Sequence, residues 1–261
     1  MTAVADYEHV YLNLIEAMRF FGHATPRGEI RALDQAVAIF SGIEYGVFNI
    51  CLLDNMPRDA AHSLEACAQF FGKHARRWSI WVCEEAHTSA GLRELRAALA
   101  RHELREISRA PGMIATVLSA PRRVLPAIQC VPVDNQKLRE TFGGIAAVCF
   151  DIPVGVAREV YYGKGAWSGS YHGYVGMVAG RPVGIVALVR NKGTMGIYSL
   201  GVQPENRRFG YGEALLRAAI DQARAEGDVD RIVLQSSESG HALYRRMGFR
   251  EVAKFSVYLT K

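Results

Sequence analysis

Gly210 and Gly212 stand one residue apart in the stretch RRFGYGEALLRAAIDQARAEG (207–227), after Arg207 and Arg208 and before an unbroken run of helix formers. A helix start leaves backbone N–H groups unpaired and carries partial positive charge, so it receives phosphate oxygens well. Residues without side chains let a bulky anion reach that backbone and tolerate positive φ. A planar guanidinium beside them suits phosphate. The same two glycines would also serve a plain tight turn into a helix, so the surrounding elements must decide. The stretch lacks the GxxxxGK[ST] of a P-loop and the three-glycine dinucleotide fingerprint. The phosphate-bearing ligand it suits is therefore of another kind.

The elements that must hold this loop are a buried strand, MGIYSLGV (195–202), and a long helix packed through Leu216, Ile220 and Ala223. Further along come a strand RIVLQ (231–235), a short helix ending at Met247 and a strand pair from Phe249 to Leu259. Ahead of the loop we expect a strand over 128–133, a helix capped by Asp134, a short helix over 153–162 and a hairpin turning at Gly180-Arg181. The first half opens with a helix through Tyr11, Leu14, Ile15, Met18 and Phe21. A second helical spacing passes through Ile30, Leu33, Val37 and Phe40. Strands over 45–53, 78–85 and 104–107 then alternate with helices over 57–74 and 92–101, which implies an α/β layer. Four prolines and a basic pair gather between Arg109 and Asn135, and the domain boundary is expected there, giving domains 1–120 and 121–261. RHELREI from Arg101 echoes RMGFREV from Arg246, which suggests a duplicated unit.

Composition narrows the class. Hydrophobic residues at 49% and charged residues at 22% suit a globular chain that buries a substantial core. The net charge of +5 comes from scattered arginines, with pairs such as 76–77, 122–123 and 245–246 read as solvated surface. No basic tract interleaved with aromatics points to nucleic acid. Five widely spaced cysteines with no CxxC disfavour both a disulfide framework and a zinc site, and a reducing, cytoplasmic setting is expected. The segment MTAVADYEHVYL carries acids where a secretory signal carries bases, and no run reaches membrane-spanning length.

VQPENRRFGYGEALL (202–216) resembles motif A of the GNAT superfamily of N-acetyltransferases, whose [Q/R]xxG-x-[G/A] loop is met by Arg207, Gly210 and Gly212. ALYRRMGF (242–249) resembles the family's motif B. The likeness covers about the last half of the chain. It implies acetyl-CoA as cosubstrate, its pyrophosphate held by the loop from Arg207 and Arg208 through Phe209, Gly210 and Tyr211 to Gly212. It also implies a pantetheine arm lying along Leu200 and Val202, where a bulge splays the strand, and no metal. Gly201 is the expected break, although a glycine there could equally relieve core crowding. Tyr244 takes the position of the tyrosine near the thioester sulfur and would protonate the leaving thiolate. Ser237 stands where the motif often has asparagine, and would bond the arm or cap the next helix.

The resemblance fails at one place. The strand before the loop carries no carboxylate, so the family's usual base is missing. Tyr198 or Ser199 relaying through water, or His172, are the candidates on the acceptor side, with an ordinary surface histidine the alternative for His172. The fold implied is α/β (α+β), two GNAT-like domains, each a mixed, largely antiparallel central sheet flanked by helices. In the first, LLDNMPRDAA (52–61) replaces the glycine loop and Leu99 replaces the tyrosine, so that half is expected to be degenerate. The expected activity is acetyl transfer to a primary amine of a small molecule or amino acid, with a coenzyme A-binding sensor as the alternative. The protein would be a monomer or homodimer, with neither nucleic acid nor membrane as partner.

Overall fold

The computed structural model describes residues 4–54, 57–75, 77–227 and 229–261. Met56 and Asn55 of the LLDNMPRDAA segment, the first three residues and Arg76 of the 76–77 pair lie outside the described residues. Helix α1 (Asp6–Gly22) is followed by strands β1 (Glu29–Leu33), β2 (Ala36–Phe40) and β3 (Ile50–Leu53). Helix α2 (Ala60–His74), β4 (Ser79–Cys83), α3 (Ser89–Arg101) and β5 (Arg105–Ala115) complete the first part. The second part runs β6 (Gln129–Pro132), α4 (Gln136–Phe150), α5 (Val154–Tyr161), β7 (Tyr171–Val178), β8 (Arg181–Asn191) and β9 (Thr194–Val202). It ends with α6 (Tyr211–Ala225), β10 (Arg231–Gln235), α7 (Glu238–Arg246) and β11 (Arg250–Leu259).

Among the described residues eleven strands form one sheet in the order β1-β2-β3-β4-β11-β5-β10-β9-β8-β7-β6. The pairs β3/β4 and β9/β10 are parallel and the others antiparallel, so the sheet is mixed and largely antiparallel. Helices α1, α4 and α5 cover one face and α2, α3, α6 and α7 the other. Along β8 the alternation is visible residue by residue. Ile185, Ala187 and Val189 join Phe142 and Tyr161 beneath α4 and α5, while Val186 and Leu188 join Leu216 and Ile220 beneath α6.

Four sequence expectations need correction. The spacing of Ile30, Leu33, Val37 and Phe40 belongs to a hairpin, β1 against β2, because Gln35 turns the chain at φ +53° and pairs Ile30 with Ile39. A hairpin with a short turn can imitate helical spacing over so few positions. The segment RAPGM is the second half of β5, since Pro111 needs no N–H there and its carbonyl accepts from Ser236 N at 2.9 Å. Asn135, rather than Asp134, caps α4 through Leu138 N at 3.0 Å. The terminal pair is a single strand, β11, bulged between Glu251 and Ala253.

The cysteines also depart from expectation. Cys51 on β3 and Cys67 on α2 form a disulfide, because α2 packs directly on β3 and brings two buried residues together. Cys83, Cys130 and Cys149 are free. No helix among the described residues is long and apolar enough to cross a membrane.

Candidate active site

The glycine loop follows the end of β9. After Val202 the chain makes one 3-10 turn over Pro204–Asn206, passes Arg208 at φ +69° and reaches Gly210 at φ +98°, from which α6 starts. Gly210 offers no side chain to cap α6, so the first amides of that helix have no side-chain acceptor. The helices α2, α3, α4 and α7 are instead capped by Asp59, Thr88, Asn135 and Ser237. A Cβ on Gly212 would meet only Val202 Cγ2 at 3.4 Å, ordinary contact, so packing does not demand glycine at that position. The loop therefore fits an anion: amides without a side-chain acceptor, room at Gly212, and Arg207 and Arg208 exposed at its edge. Arg207 also braces the loop, its Nε donating to Val202 O at 2.9 Å. Phe209 is exposed, and its ring centre lies 6.4 Å from that of half-buried Tyr211.

Beside the loop, β9 and β10 part. Their parallel pairing runs from Thr194 with Arg231 to Ile197 with Leu234, and β9 then continues to Val202 paired with β8 but not with β10. The bulge that causes this lies at Ser199 and Leu200, which together oppose Val186 of β8, with Ser199 at φ +48°. Gly201 is not the break. Its missing Cβ makes room for Cys149, whose Cβ and Sγ would stand 2.9 and 3.1 Å away. Gln203 N–H donates to Val183 O at 3.0 Å across the Gly184–Val202 pair. This is the wide antiparallel arrangement, so the amide of Val202 faces away from β8, into the gap left by β10. Leu200 packs half-buried against the cluster under α6.

Tyr244 lies on α7 on the same face as α6, 7% exposed, its ring 5.7 Å from that of Phe249 in an edge-on contact. Among the described residues its hydroxyl has no hydrogen-bond partner, and burial pushes the phenol well above its ordinary value, which keeps it protonated. Ser237 caps α7, its Oγ accepting from Gly240 N at 3.3 Å and lying 3.1 Å from Ser239 Oγ.

The acceptor-side candidates separate. Tyr198 donates to Asn13 Oδ1 of α1 at 2.9 Å, and burial raises its phenol, so it is a fastening point for α1. Ser199 Oγ lies 2.8 Å from the hydroxyl of buried Tyr171, which burial likewise holds far above its ordinary value. His172 is exposed two strands away, on the face opposite Tyr171 by strand alternation. The structure does not bring it to the Ser199–Tyr171 pair. The sequence reading missed Arg123 and Pro126, which cover the loop. Arg123 Nη2 donates to Arg208 O at 3.4 Å, a contact spanning 85 positions that no local pattern announces.

Residues 147–249 match the Acetyltransferase (GNAT) family, a span that includes the bulged strand, the uncapped loop and Tyr244. Over that span the chain is similar to a GNAT acetyltransferase domain. Over 76 residues it is 40% identical to a mycothiol acetyltransferase of Clavibacter michiganensis subsp. michiganensis (strain NCPPB 382), covering 28% of this chain and 25% of that protein. The chain thus matches only about a quarter of the length of that curated relative. The fold is shared over nearly the whole chain with a GCN5-related N-acetyltransferase from Kribbella flavida, at TM-score 0.72 and 17% identity, covering 100% of this chain and 96% of the other. A tandem GNAT protein from the clavulanic acid biosynthesis pathway matches at TM-score 0.53 and 12% identity, covering 98% and 96%. Within the matched span the elements that present the loop and the tyrosine are β9, α6, β10 and α7 in order.

Proposed function

We propose that the chain transfers an acetyl group from acetyl-CoA directly to a primary amine of a small molecule or amino acid, using the site between β9 and α7. The observation that carries this reading is the uncapped α6 start behind Gly210, next to a strand pair that opens at Ser199. Pyrophosphate would rest on the amides from Phe209 to Gly212 with Arg207 and Arg208 at its edge, and the pantetheine arm would lie along Leu200 and Val202. The Val202 amide, which faces the gap, would polarise a thioester carbonyl. Tyr244, protonated over the whole working pH range, supplies a proton to the leaving thiolate.

No carboxylate stands on β9, and neither Ser199 nor Tyr171 is basic at neutral pH. The Ser199–Tyr171 pair therefore orients the acceptor nitrogen. The amine enters uncharged, its surplus proton passes to water after attack, and water returns a proton to the Tyr244 phenolate, so the cycle closes. The rate should accordingly follow the acceptor's own ionisation, rising with pH until the amine is free. The missing carboxylate also favours a second reading, a coenzyme A-binding sensor without turnover. For residues 1–120 we propose a degenerate GNAT-like unit that binds no coenzyme A. The carboxylate of Asp59 already fills the acceptor role at the start of α2, taking His62 N at 2.8 Å.

Thermal shift with acetyl-CoA tests the common part, since ligand at about a hundred times its Kd stabilises by about 2.7 kcal/mol. No shift would sink both readings. Thiol release across an amine panel then separates enzyme from sensor. A Tyr244→Phe variant should lose about 10² or more in kcat with little change in stability, and one as active as the parent would refute the acid assignment.

A further inference from the structure

The segment 116–128 joins β5 to β6 and crosses the start of α6. Ser119 holds it at one end, donating its N–H to Met247 O at 2.9 Å and accepting Arg217 Nη2 at 2.7 Å. Arg123 and Pro126 hold it over the glycine loop at the other, and a Cβ on Gly210 would stand 3.1 Å from Pro126 Cδ. Beneath the segment lies a cavity of about 410 Å³ lined by Ala120, Arg122, Arg123, Glu213 and Arg246.

The charge balance of this cavity is lopsided. Glu213 is answered by Arg217, with Nε at 3.0 Å and Nη2 at 2.8 Å, and so does not neutralise the other cations. Among the described residues Arg122, Arg123 and Arg246 form no ion pair. Among the described residues Arg246 is occupied only by a bond to Ala242 O at 3.1 Å within its own helix, and Arg123 only by its bond to Arg208 O at 3.4 Å. Three guanidiniums converge on one cavity that shares Arg123 with the pyrophosphate loop. Such a site suits a second phosphate tethered to the first.

We propose that this cavity receives the 3′-phosphate of coenzyme A, so that the linker between the two parts of the chain reads the nucleotide end of the donor. The assignment rests on the coenzyme A reading of the glycine loop. The 3′-phosphate stands one ribose away from the pyrophosphate, and dephospho-coenzyme A differs only in lacking it. The three arginines belong to the linker and α7, outside the glycine motif.

Titration calorimetry of the full chain with coenzyme A and with dephospho-coenzyme A tests this, with inorganic phosphate as a competitor. The parent should bind coenzyme A more tightly by about tenfold or more, the worth of one charged hydrogen bond. An Arg122→Gln/Arg246→Gln double variant, both side chains being exposed, should weaken coenzyme A towards the dephospho form and leave the dephospho form unchanged. Inorganic phosphate should narrow the gap in the parent and have no such effect on the variant. Equal binding of both ligands by the parent, or a gap that survives in the variant, would overturn the assignment while the loop reading stands. If neither ligand binds the parent, the loop reading itself falls and takes this assignment with it.

Discussion

Gly210→Ala separates the loop's geometry from its ligand chemistry when compared with Gly180→Ala. Gly210 sits at φ +98° and Gly180 at φ +74°, both in the left-handed region that costs an L side chain about 1–2 kcal/mol. Gly180, in the β7–β8 turn, has nothing within 4 Å of a new Cβ, so its variant reports backbone strain alone. At Gly210 the new Cβ would meet Pro126 Cδ at 3.1 Å and Arg123 Nη2 at 3.2 Å. The arginine can swing aside but the proline ring cannot, so segment 116–128 must shift by a few tenths of an ångström. Both variants should lose about 1–2 kcal/mol, near 2–4 °C in Tm per kcal/mol for a chain of this size. Only Gly210→Ala should raise the Kd for acetyl-CoA, by about tenfold or more, since a displaced first turn gives up at least one charged hydrogen bond. Scanning fluorimetry gives the first quantity and titration calorimetry the second. The reasoning is refuted if Gly210→Ala binds acetyl-CoA like the parent, or if Gly180→Ala weakens binding as much.

Three further outcomes follow from the structure. Asn13→Ala removes the bond to Val189 O at 3.0 Å and strands the Tyr198 hydroxyl, so denaturant unfolding should show a loss of at least about 2 kcal/mol. Half-buried His87 has its pKa lowered by burial, so the unfolded chain takes the proton first as pH falls. That stability is complete above about pH 6.5 and is lost below it; between pH 7.5 and 5.5 a His87→Gln variant should therefore lose less Tm than the parent. The Cys51–Cys67 disulfide spans 16 positions, so a reductant that reaches it should cost about 2–3 kcal/mol, and peptide mapping without reductant should recover the linked pair.

Periodicity made α1, α6 and β10 legible because each has one dominant pattern and clear ends. RIVLQ is β10 residue for residue. The turn into α6 was legible through glycine spacing, and α7 as a short helix just before Phe249. What stayed hidden depended on partners distant in sequence. The hairpin over 29–40 is distinguishable from a helix only through the turn at Gln35 and the burial of the AVAIF run beside β3. The disulfide requires knowing that α2 lies on β3. The bulge at Ser199 was misplaced to Gly201 because glycine is the usual signature of a break, whereas here serine takes the positive φ and its hydroxyl is fixed by Tyr171. Arg123 over the loop could not be read at all, because its partner lies 85 positions away.

The echo between 101–107 and 246–252 has a common backbone cause. Helix α3 ends with Leu104 N donating to Leu99 O at 3.0 Å after Glu103 at φ +56°. Helix α7 ends with Phe249 N donating to Tyr244 O at 3.0 Å after Gly248 at φ +98°. Both endings launch the strands that pair with each other, β5 and β11. Each then continues into the other part of the sheet, β5 against β10 and β11 against β4. The two parts therefore share their middle strands reciprocally, and β5 carries Gly112, where a Cβ would collide with Phe255 and Ala253 of β11 at 2.6 and 2.8 Å. A frame so interlocked holds both parts in place whether or not each has chemistry. In the first part Asp59 caps the start of α2, and Leu99 O takes the bond at the end of α3 that Tyr244 O takes at the end of α7. The second part keeps an uncapped helix start facing a parted strand pair.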